Sequence, residues 1–379
     1  MKKDIKFEVI KNDDWSKARL TRFETAHGTI ETPVFMPVGT QATVKTLTPD
    51  ELKEIGFKII LANTYHLYLQ PGSDIIEKAN GIHRFMSWDG AVLTDSGGFQ
   101  VLSLKDIRKI TKEGVEFRSF IDGSKHFFSP EIVVETQEKI GSDIAIPIDI
   151  CSTYPTPFEE TERELEITID WARRSLAAHK RADQIMFGVI QGGFYKELRK
   201  RGVEEILALD FPGVTLGGLS IGEERALTEE MVDYIIPLLP SDKPRYFMGV
   251  GDPLSILEYV RMGVDMFDCV LPTRIARNRS LFTKYGTIKI TKNIYKDDFT
   301  PIEDDCGCYT CRNFTKAYLH HLFKANEHLA GRLATIHNLF FLEKLILNIR
   351  KSIDEGSFKE FYQAFKSDYK QAEDHQSEE

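Results

Sequence analysis

Two aspartates close two short apolar runs that lie far apart in the chain. Asp95 ends a run that begins at Ala91 and is followed by a glycine pair, whereas Asp268 ends a run that begins at Met266. A Val- and Leu-rich run that meets two glycines is typical of a buried strand that passes into a loop. A carboxylate there is costly to desolvate unless it is paired or used. The two aspartates are therefore candidates for a nucleophile and an acid/base that folding brings together.

Other polar groups follow similar runs. Asp149 and Gln191 each end an apolar run, and the backbone at Gly218 and Leu219 follows another. Together they offer donors and acceptors that suit the hydrogen-bonding edge of a purine-like base. The apolar side chains that could stack on such a base are Phe99 and Met248. The paired aspartates would then act on the bond between base and sugar, because two carboxylates are the usual equipment for glycosyl transfer.

Three of the five cysteines form a tight Cys-x-Cys-x-x-Cys knuckle. The knuckle is Cys306, Cys308 and Cys311, and the two other cysteines are Cys151 and Cys269. An odd count in a protein expected to be cytoplasmic disfavours disulfides, whereas thiolates at this spacing suit a tetrahedral Zn²⁺ ion. Spacing leaves the fourth ligand open among His320, His321, His328 and His337. Four protein ligands would make the metal structural and not catalytic.

Composition bounds the class of protein. The chain has 379 residues, of which 42% are hydrophobic and 28% charged, as in ordinary globular proteins. It contains no apolar run of about 18 residues and no apolar core of a signal peptide near Met1, so we expect a cytoplasmic protein without a membrane span. The net charge of −9 argues against nucleic-acid binding through overall charge.

One segment departs from that acidic balance. Between Cys269 and Lys296 there is no Asp or Glu. The basic residues of this stretch are Arg274, Arg277, Arg279, Lys284, Lys289, Lys292 and Lys296. A solvated hairpin is the common explanation for such a stretch, but its place directly after Asp268 favours an anionic ligand.

Strand-like and helix-like segments alternate from residue 33 onward. The expected strands are Pro33–Gly39, Lys58–Asn63, Ala91–Asp95, Ile144–Asp149, Ile185–Gln191, Gly213–Leu219, Arg245–Gly251 and Met266–Leu271. The expected helices include Thr48–Ile55, Pro130–Ile140, Phe158–Arg181, Tyr195–Leu209 and Leu227–Leu238. Eight such units predict a (β/α)8 barrel. A doubly wound open sheet is the alternative, but no Gly-x-Gly-x-x-Gly follows the first strand.

Additional segments predict decorations of the barrel. Residues 1–32 should form an N-terminal hairpin region with a turn at Gly28, residues 33–279 the barrel, and residues 280–379 a zinc-binding subdomain with C-terminal helices. Within the barrel, Val115–Phe128 reads as an inserted hairpin. The fold class expected is therefore α/β, an irregular barrel with an inserted hairpin and a metal-binding subdomain.

The sequence also resembles a known family, the bacterial tRNA-guanine transglycosylases. The resemblance rests on Thr94–Gln100, Val189–Gly193, Gly217–Glu223, Asp268–Arg274 and the cysteine knuckle, and it runs over nearly the whole chain. It implies an irregular TIM barrel that works as a homodimer. It also implies exchange of guanine 34 in G-U-N anticodons (tRNAs for Asp, Asn, His and Tyr) for preQ1, 7-aminomethyl-7-deazaguanine. No nucleotide cofactor is implied, and the reaction belongs to queuosine biosynthesis.

Residue roles follow from the same resemblance. Asp268 corresponds to the nucleophile that forms a covalent ribose intermediate, Asp95 to the general acid/base, and His337 to the fourth zinc ligand. The substrate-binding set comprises Asp149, Gln191, Gly218, Leu219, Phe99, Met248, Ser96, Glu223, Cys151 and Ile221. The RNA-binding set comprises Arg274, Arg277, Asn278, Arg279 and Lys284.

Details of the pocket distinguish subtypes and rival functions. Cys151 and Ile221 match the bacterial pocket, and Phe99 replaces a Tyr of some relatives, which keeps stacking but removes a hydroxyl. A non-catalytic RNA-binding subunit is one rival, although such relatives lack the paired aspartates. A hydrolytic N-glycosidase is another, and it would need water where the second base binds.

Overall fold

The computed structural model describes residues 5–103 and 108–376. The first element along the chain is an antiparallel sheet of three strands. Its strands are β1 (Phe7–Asn12), β2 (Arg19–Thr25) and β3 (Gly28–Thr32). Gly28 has a φ of +122°, which a residue with a Cβ rarely adopts, and it begins β3 directly after the turn. The structure thus has three strands where the sequence predicts a hairpin region.

Eight parallel strands then close into a barrel in the order β10-β11-β12-β13-β14-β4-β5-β6. They are β4 (Val34–Gly39), β5 (Ile59–Asn63), β6 (Ala91–Asp95), β10 (Ile144–Ala145), β11 (Ile185–Ile190), β12 (Gly213–Leu216), β13 (Arg245–Phe247) and β14 (Met266–Cys269). The predicted (β/α)8 barrel is confirmed, and the open-sheet alternative is wrong. Inward side chains such as Leu61, Phe187 and Met266 form one buried cluster inside the barrel.

At least one helix follows every barrel strand. The helices are α1 (Pro49–Ile55), α2 (Thr64–Leu69), α3 (Ser73–Lys78), α4 (Ile82–Met86), α5 (Gly98–Ser103), α6 (Pro130–Ile140), α7 (Phe158–Ala178), α8 (Lys196–Ala208), α9 (Arg225–Ile235), α10 (Pro253–Arg261) and α11 (Leu271–Arg277). All five predicted helices are present, with small shifts at their ends. At α1, the side chain of Thr48 accepts from the backbone of Glu51, and the Glu51 carboxylate accepts from the backbone of Thr48. This capping box explains why the helix starts there.

The fourth barrel strand is much shorter than the sequence predicts. The sequence predicts a strand over Ile144–Asp149, but β10 ends at Ala145. At Ile146, the side chain of Gln137 takes the hydrogen bonds that a neighbouring strand would otherwise make. Its Oε1 accepts from the Ile146 nitrogen at 3.1 Å, and its Nε2 donates to the Ile146 oxygen at 2.9 Å. Pro147, which lacks an N–H, cannot resume the ladder. Residues 146–149 therefore lie outside the strand ladder.

Several other strands end before their predicted limits. β12 ends at Leu216 instead of Leu219, and β13 ends at Phe247 instead of Gly251. Left-handed backbone follows each strand, with φ of +66° at Gly218 and +79° at Gly249. Such glycines turn the chain out of the strand and bring its backbone groups to the barrel mouth.

The N-terminal sheet covers the opposite end of the barrel, where the strands begin. Asp143, just before β10, accepts from the ring nitrogens of His27 at 2.9 Å and His83 at 3.0 Å. The two imidazole rings stack with centroids 3.5 Å apart. On the other side, the buried guanidinium of Arg19 pairs with Asp265 at 2.6 Å, just before β14. Buried charge is tolerated here because each carboxylate has several donors.

Two further units complete the described chain. The predicted insertion is confirmed as a sheet with one extra strand: β7 (Arg108–Ile110), β8 (Val115–Arg118) and β9 (Lys125–Phe128). After the barrel come β15 (Ser280–Thr283), β16 (Gly286–Lys289), α12 (Tyr309–Asn313), α13 (Lys316–Lys324), α14 (His328–Glu355) and α15 (Phe358–Gln376). The division of the chain at residues 32 and 279 stays a prediction. Among the described helices, none combines the length and apolar character needed to cross a membrane.

Candidate active site

A cavity of about 180 Å³ opens at the carboxyl ends of the barrel strands. Both proposed catalytic aspartates line it, as do nine of the ten proposed substrate-binding residues. Those nine are Asp149, Gln191, Gly218, Leu219, Phe99, Met248, Ser96, Cys151 and Ile221. The tenth, Glu223, lies outside the lining and contacts the backbone behind it. Residues as distant in the sequence as Asp95 and Asp268 thus line the same small cavity.

Asp268 at the end of β14 is held through one carboxylate oxygen. Its Oδ1 accepts from the hydroxyl of Tyr246 at 2.5 Å and from the backbone nitrogen of Gly249 at 3.0 Å. Within the described chain, Oδ2 accepts no hydrogen bond, which leaves it available to a ligand in the cavity. Burial raises the pKa of Asp268, and the two hydrogen bonds oppose that rise. Tyr246 is a site residue that sequence reasoning missed.

Asp95 at the end of β6 is bound to neighbours through both oxygens. Oδ2 accepts from the Asn63 amide at 2.6 Å, and Oδ1 accepts from the backbone nitrogens of Thr64 at 3.1 Å and Gly97 at 3.2 Å. Burial raises the pKa of Asp95 to about 7, and the charge of Asp268 contributes to that rise. The two carboxylates are thus electrostatically coupled. A carboxyl group that titrates near neutrality can both donate and accept a proton.

Asp149 and Gln191 form a polar pair in the cavity. Nε2 of Gln191 donates to Oδ2 of Asp149 at 2.7 Å, and the hydroxyl of Ser96 lies 3.4 Å from Oδ1. Burial raises the pKa of Asp149 to about 6. Oε1 of Gln191 is buried without a hydrogen-bond partner among the described residues. An unsatisfied buried polar atom is costly, and a bound ligand would remove that cost.

The glycine segment after β12 passes very close to Gln191. A Cβ on Gly218 would lie 2.2 Å from Oε1 of Gln191, so only glycine fits. The next peptide is held by Glu223, whose carboxylate accepts from the backbone nitrogens of Ser220 at 2.5 Å and Ile221 at 2.8 Å. Because a trans peptide directs its C=O opposite to its N–H, the carbonyl of Leu219 points away from Glu223.

Arg199 on α8 fixes the same backbone from behind. Its guanidinium is fully buried and donates to four carbonyl oxygens at 2.7, 3.0, 2.8 and 3.1 Å. These belong to Gly193, Ile190, Gly217 and Gly218. Burial lowers its pKa to about 10, which leaves it charged at neutral pH. Sequence reasoning missed this residue too, although it lies on the buried face of its helix with Val203 and Ile206.

Apolar groups complete the cavity. Phe99 is 58% exposed at the start of α5, and Met248 follows β13. Cys151 is a thiol at neutral pH, because burial raises its pKa to about 12. These side chains give the cavity apolar walls beside its polar groups, as in sites that bind flat heterocycles.

Three of the basic residues after Asp268 line two separate cavities. Arg277 and Arg279 line a cleft of about 250 Å³ beside α14. Nη1 of Arg277 is buried and has no hydrogen-bond partner among the described residues. Burial lowers the pKa of Arg277, and the nearby charge of Arg274 adds to that shift. Lys284 instead lines a different cavity, with its ammonium 4.9 Å from the ring centroid of Tyr285. Asn278 caps the end of α11 through its backbone, between the arginines.

A Cys3His cluster lies between the knuckle and α14. The Sγ atoms of Cys306, Cys308 and Cys311 lie 3.7, 3.6 and 3.4 Å from Nδ1 of His337. Tetrahedral bonds of about 2.3 Å to sulfur and about 2.1 Å to nitrogen give separations of about 3.6 Å. Nε2 of His337 bonds to the carbonyl of Phe282 at 2.7 Å, which leaves Nδ1 for a metal. The four residues therefore fit one structural metal ion.

A parallel barrel with paired carboxylates in one mouth cavity and a Cys3His subdomain defines a class of glycosyl-transferring enzyme. The family model described as queuine tRNA-ribosyltransferase matches residues 13–371. A queuine tRNA-ribosyltransferase of Caldanaerobacter subterraneus subsp. tengcongensis is 58% identical over 96% of this chain and 98% of its own. Those of Thermoanaerobacter pseudethanolicus and Moorella thermoacetica are 56% and 55% identical, each over 96% of this chain and 98% of their own. The chain belongs to the queuine tRNA-ribosyltransferase family and is a pentosyltransferase.

Proposed function

We propose that this enzyme exchanges the guanine at position 34 of tRNAs with G-U-N anticodons for preQ1. The acceptors would be the tRNAs for Asp, Asn, His and Tyr. The observation that carries the proposal is the meeting of Asp95 and Asp268 in a cavity that also holds the polar pair Asp149 and Gln191. A base-sized space beside two carboxylates suits exchange at a glycosidic bond.

Base selection follows from the donors and acceptors of the cavity. A 2-amino-6-oxo purine edge presents two adjacent N–H donors and one carbonyl acceptor. The Asp149 carboxylate can accept from both donors, whereas the Gln191 amide and the Gly218 backbone can donate to the carbonyl. Adenine lacks this pattern and would leave Asp149 without partners. A site with buried polar groups rejects such an analogue strongly.

The carbonyl of Leu219 favours preQ1 as the incoming base. PreQ1 carries an aminomethyl cation that needs an acceptor when it is buried. Because Glu223 binds the nitrogen of Ser220, the Leu219 carbonyl is directed away from Glu223 and can accept from that cation. Ile221 and Cys151 also line the cavity, and we propose that they limit the size of the substituent.

The reaction proceeds by double displacement. Oδ2 of Asp268 attacks C1′ of the flipped nucleotide, the bond from C1′ to N9 breaks, and N9 takes a proton from Asp95. PreQ1 then loses its N9 proton to Asp95 and attacks C1′, and the electron pair of the ester bond returns to Asp268. Two inversions give net retention. One glycosidic bond replaces another, so no nucleotide cofactor is needed.

The metal and the partners complete the proposal. We infer one Zn²⁺ per subunit, held by the Cys3His cluster, which would stabilise the C-terminal subdomain without a part in the chemistry.

Arg274 and Arg277 would read the uridines that flank guanine 34, with Asn278, Arg279 and Lys284 near the RNA backbone. Nη1 of Arg277 is buried and finds no hydrogen-bond partner in the described part of the chain, which supports a ligand at that place.

A homodimer is part of the same proposal. Tyr309 and Tyr318 are 51% and 39% exposed and pack against Phe314, so the zinc subdomain presents an aromatic surface. A second copy of the chain would cover this surface and leave one tRNA held by two subunits. Since tRNA is the substrate, we place the enzyme in the cytoplasm.

Incubation with labelled guanine and a G-U-N tRNA tests the function. Exchange of label into position 34, blocked by prior incubation with preQ1, is expected. A tRNA of the same fold without G34 is the matched control. Abasic RNA would instead indicate the hydrolytic glycosidase, and binding without reaction would indicate an accessory subunit.

A further inference from the structure

Tyr246 makes the shortest contact to the proposed nucleophile. Its side chain extends from β13 into the barrel mouth, is fully buried, and donates to Oδ1 of Asp268 at 2.5 Å. Burial and the charge of Asp268 raise the pKa of Tyr246 well above its ordinary value. The proton therefore stays on the phenol, which acts as a donor at every physiological pH.

The two donors on Asp268 act on the same oxygen. Tyr246 and the Gly249 nitrogen both bind Oδ1, from different directions. This arrangement restricts rotation of the carboxylate and leaves Oδ2 as the oxygen that accepts no hydrogen bond from the described residues. It also stabilises negative charge on the carboxylate, since a hydrogen bond to an ionised acceptor is about twice as strong as a neutral one.

We propose that Tyr246 is a positioning residue that sets the balance between the covalent adduct and the free carboxylate of Asp268. The proposal rests on the function proposed above. In the adduct, Oδ2 is bonded to C1′ and Oδ1 is an ester carbonyl, which is a weaker acceptor. When the incoming base forms its bond to C1′, the bond from C1′ to Oδ2 breaks and its electron pair restores the carboxylate. The Tyr246 bond strengthens in that second step, so Tyr246 promotes discharge of the adduct.

The prediction concerns the guanine concentration that discharges half of the adduct. At equilibrium, enzyme and tRNA form adduct plus free guanine, and added guanine reverses the reaction. Tyr246→Phe keeps the ring but removes the donor. The half-discharge concentration should rise about tenfold to a hundredfold, the usual effect of losing one hydrogen bond to a charged group. Denaturing gels of enzyme mixed with labelled G-U-N tRNA measure the adduct.

Tyr259→Phe is the matched control. Tyr259 on α10 is also a buried tyrosine of the barrel, in edge-to-face contact with Phe247 with ring centroids 4.9 Å apart, but it does not line the cavity. Loss of its hydroxyl should leave the half-discharge concentration unchanged. A purely structural role of Tyr246 would reduce the amount of active enzyme but would not move this concentration.

A second substitution keeps the proposal testable if Tyr246→Phe folds poorly. A fluorinated tyrosine at position 246 retains the shape of the side chain and donates more strongly, so the half-discharge concentration should fall. An unchanged concentration in either variant, with adduct present in the wild type, overturns the role of Tyr246 alone. Absence of adduct in the wild-type enzyme overturns the proposed function instead.

Discussion

Gly218→Ala separates base recognition from general stability. Gly218 has a φ of +66°, and a Cβ there would lie 2.2 Å from Oε1 of Gln191. The Gln191 amide must then move by roughly 1 Å to reach ordinary contact distance. That movement breaks its 2.7 Å hydrogen bond to Asp149 and disturbs the purine-binding edge.

The expected magnitudes come from these two effects. A left-handed backbone at alanine costs about 1 kcal/mol of folding stability. A displaced Asp149–Gln191 pair should lose a hydrogen bond between the base and the charged Asp149, which costs about 1.5–3 kcal/mol and corresponds to about a tenfold or larger rise in KM for guanine. Guanine exchange into G-U-N tRNA measures KM, and urea denaturation measures the free energy of unfolding.

Gly123→Ala supplies the matched control. Gly123 lies in the turn between β8 and β9 with a φ of +74°, and a Cβ there meets no atom of the described residues within 4 Å. It carries the same backbone strain without a collision, so it should lose about 1 kcal/mol of stability and keep its KM. If Gly218→Ala and Gly123→Ala have the same KM, the proposed place of the base is wrong.

Three further substitutions test the electrostatics and the metal. Burial raises the pKa of folded Asp95 from 3.8 to about 7, so the stability that its protonated form contributes is lost as pH rises through that range. The unfolding free energy of Asp95→Asn relative to wild type should therefore rise from pH 4 to pH 7, and a flat difference would contradict this. Cys308→Ser keeps a side chain that can cap α12 but removes a metal ligand. Metal analysis should therefore find the ion lost, and thermal unfolding should begin at a lower temperature; unchanged metal content would refute the site. Hydrogen bonds from His83 and His27 lower the pKa of Asp143, so its carboxylate stabilises the fold at pH values above its ordinary pKa. Asp143→Asn should therefore lower the free energy of unfolding by about 3 kcal/mol at pH 7 and by less as pH falls below about 4. An equal loss at both pH values would contradict the pairing.

The barrel and its catalytic pair could be predicted because each rests on a local pattern. Short runs rich in Val, Ile and Leu mark buried strands, and Asp95 and Asp268 stand at their ends. Strand ends were less predictable, since they depend on distant groups. The early end of β10 is due to the side chain of Gln137, which no pattern near Ile144 reveals.

The supporting residues of the site were missed for the same reason. Tyr246 reads as an ordinary aromatic residue of a strand, and only folding brings it to Asp268. Arg199 left a weak signal, a charge on the apolar stripe of α8, but its carbonyl partners come from two other segments. The fourth ligand, His337, was open on spacing and is defined by the approach of α14 to the knuckle.

Mapping the covalent adduct tests the central claim most directly. The wild-type enzyme is mixed with G-U-N tRNA, denatured, digested with nuclease and protease, and analysed by mass spectrometry. A nucleotide remnant without its base should be attached to the peptide that contains Asp268, and Asp268→Asn should bind the tRNA but give no adduct. A remnant on Asp95, or an adduct that persists in Asp268→Asn, would contradict the assignment of the two carboxylates.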